Sequence, residues 1–159
     1  MSEEKFKTLR HMETVRNYIN VIIRELLDRQ EQHDQSKLEY PEVEFIERYT
    51  HKLRNSVYGS PEYKNTLRDM SVAINHHHNN NRHHPEYFKN GILDMNLIDL
   101  IELICDWKAA TLRHDNGDIF ESIKINQERF KYTDELATIL KNTAEFFDSQ
   151  IVFNKANES

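Results

Sequence analysis

The sequence predicts an all-α protein, a single-domain bundle of about six helices. Glycine and proline, which break helices, occur only three times each in 159 residues, while 38% of the residues are hydrophobic and 30% are charged. The hydrophobic residues recur at steps of three and four, the period of one side of a helix, and strand signals are weak. A chain of 159 residues is long enough to form one hydrophobic core. We expect one domain over residues 1–153 and a frayed tail over 154–159.

The first half of the chain predicts three helices. The first runs from about Glu4 to Gln30 without proline or glycine. Its apolar residues fall near one side: Phe6, Leu9, Met12, Val15, Tyr18, Ile19, Ile22, Ile23, Leu26 and Leu27. The second starts at Pro41 and ends near Asn55, with Val43, Ile46, Tyr49 and Leu53 turned inward. A third follows Ser60 as N-cap and Pro61 at the first helical position, with a stripe formed by Tyr63, Leu67, Met70, Ile74 and His77.

The second half predicts three more helices. Asn96, with Asp99 three residues later, is typical of a helix start. The segment from Leu97 to Arg113 is the least polar in the chain, so we expect it to be the central helix. A turn at 115–118 precedes a helix from Ile119 to Phe130. Thr133 or Asp134 caps the last helix, which runs to about Phe147. The single cysteine, Cys105, cannot form an internal disulfide and is expected to be a buried hydrophobe.

Charge and hydropathy exclude two classes of partner. A net charge of −6 and a sequence pI near 5.8 provide no basic footprint for duplex nucleic acid. The longest mostly apolar run, near residues 97–105, contains acids and is too short to span a bilayer. We therefore expect a soluble, cytosolic protein with no membrane partner; if the gene is phage-encoded, this is the bacterial host cytosol. A homodimer is left open.

A histidine-rich segment over residues 75–86 holds five of the nine histidines. Imidazole is the commonest protein metal ligand, so the segment suggests a polar metal-binding pocket, although a solvated inter-helix loop explains it equally well. Helical phase turns His77 inward, on the stripe of Met70 and Ile74, with His76 beside it. The same phase turns His78 toward solvent. His51, off the apolar stripe of its helix, is expected at the surface.

Three other places offer metal ligands. His11 precedes Val15 by four residues, so its imidazole should look into the apolar side of the first helix, as a ligand or as a hydrogen-bonded core histidine. His33 and Asp34 are adjacent at a helical turn, where both can face one cation and Lys37 can face a bound anion; a capping Asp beside a surface His is the alternative. Asp106 lies in the apolar helix, as a ligand or on a solvated edge formed with Asp99 and Glu102.

In order and spacing, His11, His33-Asp34 with Lys37, His77 and Asp106 resemble the HD-domain superfamily of metal-dependent phosphohydrolases. The segment 101–110, Ile-Glu-Leu-Ile-Cys-Asp-Trp-Lys-Ala-Ala, is similar to the last segment of that superfamily. The pair His76-His77 resembles the members with two metals, although the Gly-Tyr-Pro sequence of the cyclic-dinucleotide phosphodiesterases is replaced by residues 80–88. A closer resemblance over His33 to about Asn142 is to a small uncharacterised family from phages and bacteria, with the motifs His-His, Asn-Arg-His-His-Pro-Glu-Tyr-Phe and Cys-Asp-Trp-Lys-Ala-Ala-Thr.

The HD resemblance implies phosphoester hydrolysis on a nucleotide or a related small phosphorylated substrate. A cation held by His11, His33, Asp34 and Asp106 would polarise a phosphoryl oxygen and lower the pKa of bound water. A second cation would use His77 with His76, His83 or His84; Mn, Fe, Co, Ni or Zn suits such ligands better than Mg, which is also compatible. Asp34, Lys37 and Glu86 are the catalytic candidates. The substrate-binding candidates are Lys37, Asn81, Arg82, Lys108 and Arg113.

Two alternative functions remain open. HD-type di-iron oxygenases share the same ligand order, so the oxidation of a small organic substrate is the second enzymatic hypothesis. A non-catalytic phage protein that binds a nucleotide or a partner is the third. Metal content separates the three hypotheses.

Overall fold

The computed structural model of the chain describes residues 2–56, 60–113 and 117–150. Every regular element in these residues is helical, seven α-helices joined by short 3-10 turns and loops, which confirms the predicted all-α class. The predicted tail 154–159 and the predicted inward position of the Leu53 side chain lie outside the described part of the chain. The chain forms two compact units, Met1–Asn81 and Arg82–Ser159.

The first unit contains four α-helices. They are α1 (Glu3–Gln32), α2 (Glu42–Asn55), α3 (Pro61–Asp69) and α4 (Ser71–Asn80), with a 3-10 turn at Gln35–Leu38 between α1 and α2. α1 begins where the Ser2 side chain accepts a hydrogen bond from the backbone N–H of Lys5, which satisfies one of the free donors at the helix start. Its last turn ends at His33, so the His33-Asp34 pair follows the helix directly.

The apolar side of α1 is exposed, because no residue of this helix is buried. Val15, for example, retains 41% of its accessible surface. The predicted inward orientation of His11 is therefore wrong, since His11 is exposed as well. The periodicity of a sequence fixes which residues share one side of a helix, but it does not supply a neighbour to cover that side.

The predicted third helix is divided at Met70 into α3 and α4. Ser60 caps α3 by accepting from the N–H of Tyr63, and Pro61 takes the first helical position, as predicted. The backbone N–H groups of Met70 and Ile74 still bond to carbonyls four residues earlier, so the stripe keeps its direction across the break. Met70 and His77 are buried on it, which confirms the predicted inward position of His77.

The second unit contains α5 (Leu97–Thr111), α6 (Ile119–Phe130) and α7 (Asp134–Gln150), preceded by 3-10 turns at Pro85–Tyr87 and Gly91–Asp94. The predicted start of α5 is confirmed: Asn96 accepts from the N–H of Asp99, and Asp99 accepts from the N–H of Asn96. The core of this unit consists of Ile92, Ile104, Ile119, Ile123, Tyr132, Ala137, Leu140 and Ala144, with Trp107 and Phe130 packed against it.

The orientation of α5 places acids inward and part of its apolar surface outward. Asp99 is fully buried, whereas Leu97 is 74% exposed and Cys105 is exposed. The predicted burial of Cys105 is therefore wrong. Leu103 and Ile104 face the core. Cys105 lies one turn after the exposed Ile101 and therefore points away from the core, as Ile101 does. Among the described helices, none combines the length and the hydropathy that a membrane span needs.

Candidate metal centre

A buried carboxylate organises the histidines of the first unit. Glu42, the first residue of α2, retains 2% of its accessible surface. Its Oε1 lies 2.7 Å from Nδ1 of His76, and its Oε2 lies 2.8 Å from Nδ1 of His77. Sequence reasoning missed Glu42, because nothing in the sequence distinguishes it from Glu44, which is exposed in the same helical turn.

The contact with Glu42 determines which nitrogen of each imidazole is available. An ionised carboxylate only accepts hydrogen bonds, so His76 and His77 each carry a proton on Nδ1 when bonded to it. In the neutral imidazole, the lone pair then lies on Nε2, the nitrogen that remains for a ligand. A histidine fixed in this way by a carboxylate is the usual arrangement in protein metal sites.

Asn81 fastens the chain around this cluster. It is 7% exposed, and its Nδ2 donates to Oγ of Ser36 at 2.8 Å and to the carbonyl oxygen of His77 at 2.8 Å. Both bonds link residues of the first unit, so the structure gives Asn81 a positioning role. Its predicted contact with a substrate stays a prediction.

Asp34 lies between two imidazoles. Its Oδ1 is 3.4 Å from Nε2 of His77, and its Oδ2 is 3.6 Å from Nε2 of His33. Nζ of Lys37 is 2.5 Å from Oδ2. Asp34 has a left-handed backbone, φ 59°, and its side chain makes no capping hydrogen bond. The alternative interpretation of Asp34 as a helix cap is therefore wrong: the carboxylate is directed at Lys37 and the imidazoles instead.

The electrostatics around Asp34 favour a positive charge next to it. Burial lowers the pKa of His77, and the Lys37 ammonium lowers it further, against the opposing effects of Asp34 and Glu42. A neutral His77 with its proton on Nδ1 places two acceptors, Nε2 and Asp34 Oδ1, 3.4 Å apart. Two acceptors at this distance repel unless a proton or a cation lies close to both.

The donor atoms fit a transition metal. Groups of His, Asp and Glu side chains that could hold a metal ion occur among the described residues. In the first unit, Asp34 lies 3.4 Å from Nε2 of His77 and 3.6 Å from Nε2 of His33, through different carboxylate oxygens. These three residues are not together one of those groups, so the set rests on the two pair distances. Nitrogen with carboxylate oxygen suits Mn, Fe, Co, Ni or Zn, and suits Mg less well.

The second unit contains another histidine fixed by a carboxylate. His83 retains 2% of its accessible surface, and its Nδ1 lies 3.0 Å from Oε1 of Glu102. The ring of His84 packs against that of His83 with the centroids 4.2 Å apart. Glu102 was recognisable only as a member of the acidic stripe on α5. The structure therefore identifies it as a positioning residue that the sequence did not single out.

Arg82 pairs with the buried acid of the second unit. Its Nε donates to Oδ1 of Asp99 at 3.0 Å and its Nη2 donates to Oδ2 at 2.9 Å. Its guanidinium also lies 4.8 Å from the ring centroid of Phe88 and 5.4 Å from that of Tyr87. This bidentate pairing uses two of the five N–H groups of the guanidinium, and the predicted contact of Arg82 with a substrate stays a prediction. The edge on which the alternative interpretation placed Asp106 is not solvated at Asp99, whose carboxylate is buried and paired.

Other predicted residues also have protein partners. Glu86, the candidate base, accepts from Nη2 of Arg129 at 2.5 Å. Nζ of Lys108, a candidate substrate ligand, lies 2.5 Å from Oδ1 of Asp148. Arg113 is exposed, and Asp106 is half-buried.

Two predictions concerned histidines outside the cluster. His51 is exposed, as predicted. His78 is half-buried, so its predicted solvent-facing position is wrong. It follows His77 directly, and their ring centroids lie 6.3 Å apart. His78 points about 100° away from His77 around the helix axis. This rotation takes its side chain off the buried stripe but does not expose it fully.

The fold and the cluster define an all-helical protein with carboxylate-fixed histidines. The chain belongs to DUF5662, a family of unknown function, whose family model matches residues 1–151. None of the curated proteins and none of the solved structures compared with the chain gives a match.

Proposed function

We propose that this protein is a metal-dependent phosphohydrolase whose metal centre is built on Asp34, His33 and His77. The observation that supports the proposal is the position of Asp34, which presents one carboxylate oxygen to each of two imidazole Nε2 atoms. The HD-like order of these residues along the sequence supports the choice of reaction. The substrate in this proposal is a nucleotide or a related small phosphoester in the cytoplasm, with no duplex nucleic acid or membrane as partner.

Glu42 orients the imidazoles of His76 and His77. Its bonds to His76 and His77 keep the Nδ1 proton in place and direct Nε2 of His77 at Asp34, before any cation arrives. A divalent cation bound there would supply Lewis-acid stabilisation of a phosphoryl oxygen and a more acidic water. Preorganisation of this kind strengthens binding because the ligands do not have to be ordered afterwards.

Lys37 provides the anion-binding group in this proposal. Its ammonium lies 2.5 Å from Oδ2 of Asp34 and balances the charge of that carboxylate. If Asp34 held a divalent cation, its carboxylate would no longer need the Lys37 ammonium as counter-charge, and Nζ of Lys37 would be able to hold a phosphoryl oxygen of the substrate. The half-exposed position of the Lys37 side chain allows this exchange, since the stem need only rotate about its own bonds.

A second candidate function rests on the same donor set. Two imidazoles and one carboxylate also form the ligand triad of non-haem iron oxygenases. Iron as the bound metal, with oxygen uptake dependent on an organic substrate, would favour that function over phosphate release.

The experiment begins with protein purified without chelator. Elemental analysis measures the bound metal, and a panel of nucleotides with added Mn²⁺ is assayed for phosphate release. Asp34→Asn and His77→Ala should lose metal and activity together, because one lost ligand weakens binding while the helices remain. His51→Ala, which removes an exposed histidine, is the matched control and should retain both.

Two results would reject the proposal. Absence of bound metal in wild-type protein, even after Mn²⁺ or Zn²⁺ is supplied, would leave the cluster as a hydrogen-bonded packing network. Full metal occupancy in both Asp34→Asn and His77→Ala would show that the metal is held elsewhere.

A further inference from the structure

Most of the side of α1 that carries its apolar residues is exposed among the described residues, and only its C-terminal end is partly covered, at Leu26 and Arg29. α1 contains 30 residues and is therefore about 45 Å long. At about 100° per residue, eight of its large apolar side chains fall within about half of the helix circumference. They retain between 41% and 69% of their accessible surface: Leu9, Met12, Val15, Tyr18, Ile19, Ile22, Ile23 and Leu27. We refer to these eight residues as the α1 face.

The opposite side of α1 is mainly polar, with Phe6 and Val21 as its large apolar residues. Arg10, Asn17, Arg24 and Asp28 lie there, so water solvates that side of the helix without cost. A single exposed leucine is common in proteins, but a contiguous apolar surface along five turns of one helix marks an interaction surface.

The size of the α1 face matches one half of a stable interface. Side chains of this kind, about half exposed, each leave on the order of 100 Å² uncovered. The eight together present about 800 Å², which is the area that each partner contributes to a standard protein interface.

The spacing within the α1 face selects a second helix of the same kind as the partner. Met12, Val15, Ile19 and Ile22 of the α1 face follow one another at steps of three, four and three, and the part-buried Leu26 continues the series four residues later. This is the heptad spacing that packs one helix along another, with Met12, Ile19 and Leu26 at one core position and Val15 and Ile22 at the other. A second copy of α1 offers the same length and the same spacing.

Charge also favours a like partner. From Leu9 to Leu27, His11 and Arg16 are the only acidic or basic residues within the arc of the α1 face, and each lies near one of its edges. A partner selected by charge would find almost no complementary group there. Two copies related by a twofold axis bury the same apolar surface on both sides.

We propose that α1 of one protomer packs along α1 of a second copy through the α1 face, which makes the protein a homodimer. This proposal is independent of the metal centre, because none of the eight residues belongs to the proposed ligand set.

The test compares the mass of the full chain in solution with the masses of two variants, by sedimentation equilibrium at micromolar concentration. Ile19→Glu with Ile22→Glu places two charges in the centre of the α1 face. Val21→Glu is the matched control, because Val21 is a 58% exposed apolar residue on the other side of the same helix. Since no α1 residue is buried within the protomer, the circular dichroism spectrum should report folded protein in every case.

We expect the wild type and Val21→Glu to sediment as dimers. The Ile19→Glu/Ile22→Glu variant should sediment as a monomer, with a dissociation constant at least about 100-fold higher, equivalent to about 2.7 kcal/mol. A monomeric wild type at the same concentration would overturn the proposal. A dimer that survives both glutamates would also overturn it, because the interface would then lie elsewhere.

Discussion

Replacing Arg82 with alanine should destabilise the protein by about 3–5 kcal/mol, because it leaves the charge of Asp99 buried without its cation. The Asp99 side chain is completely inaccessible to water, and both of its oxygens accept hydrogen bonds from the Arg82 guanidinium. The alanine variant removes both bonds and the contacts of the guanidinium with the rings of Tyr87 and Phe88. A loss of this size is a large fraction of the 5–15 kcal/mol that stabilises a typical domain.

The chain offers a matched control for the Arg82 prediction. Arg129 also pairs with a carboxylate, that of Glu86, but their side chains are 58% and 28% exposed. Water screens an exposed pair and competes for both groups, so Arg129→Ala should cost less than about 1 kcal/mol. The difference in the free energy of unfolding between the two variants therefore measures the effect of burying Asp99, because both variants lose an arginine.

Urea denaturation at neutral pH measures both effects. The single tryptophan, Trp107, packs against the core of the second unit, so its fluorescence reports the unit that contains Arg82. Far-UV circular dichroism provides the second probe. The double variant Arg82→Ala/Asp99→Asn should recover part of the lost stability, since it removes the buried charge. If Arg82→Ala cost no more than Arg129→Ala and instead weakened the binding of a phosphorylated ligand, the structural role assigned to Arg82 would be refuted.

Two further predictions concern other buried groups. Glu42→Gln should weaken Mn²⁺ or Zn²⁺ binding by about 10- to 100-fold, because the imidazoles of the cluster lose their anionic orienting group, whereas Glu44→Gln should leave it unchanged in calorimetric titrations. Equal affinities for the two variants would remove Glu42 from the site. Burial raises the pKa of Tyr132 to about 12, so the folded protein keeps the phenol proton that the unfolded chain releases near pH 10. Stability relative to Tyr132→Phe should accordingly be constant below pH 10 and fall by up to about 2–3 kcal/mol between pH 10 and 12; a constant difference across that range would contradict this.

Local signals in the sequence predicted the helix starts and the direction of one histidine. Ser60-Pro61 and Asn96 act through neighbours within three residues, so their geometry follows from the chain itself. His77 shares the phase of Met70 and Ile74, and the periodicity was sufficient to turn it inward. These are the parts of the fold that one helix decides without its neighbours.

Partners distant in the sequence could not be predicted. Glu42 meets His77 across 35 residues, and Arg82 meets Asp99 across 17. Such pairs depend on how the helices pack, and each carboxylate resembles its exposed neighbours when only the sequence is read. The exposure of α1 was not predicted for a related reason. An amphipathic pattern indicates that the apolar side of a helix packs against something, but it does not identify the element or the chain that packs there.

The most direct test of the metal centre is anomalous X-ray scattering at the zinc edge from crystals grown with Zn²⁺. The proposal predicts an anomalous peak about 2.0–2.2 Å from a carboxylate oxygen of Asp34 and from Nε2 of His77. Glu42 should remain bonded to Nδ1 of His77 in the same crystal. The contradicting result is an anomalous peak only elsewhere in the protein, with none beside Asp34 and with Nε2 of His77 still facing Asp34 directly. That result would show that Asp34 is not a metal ligand.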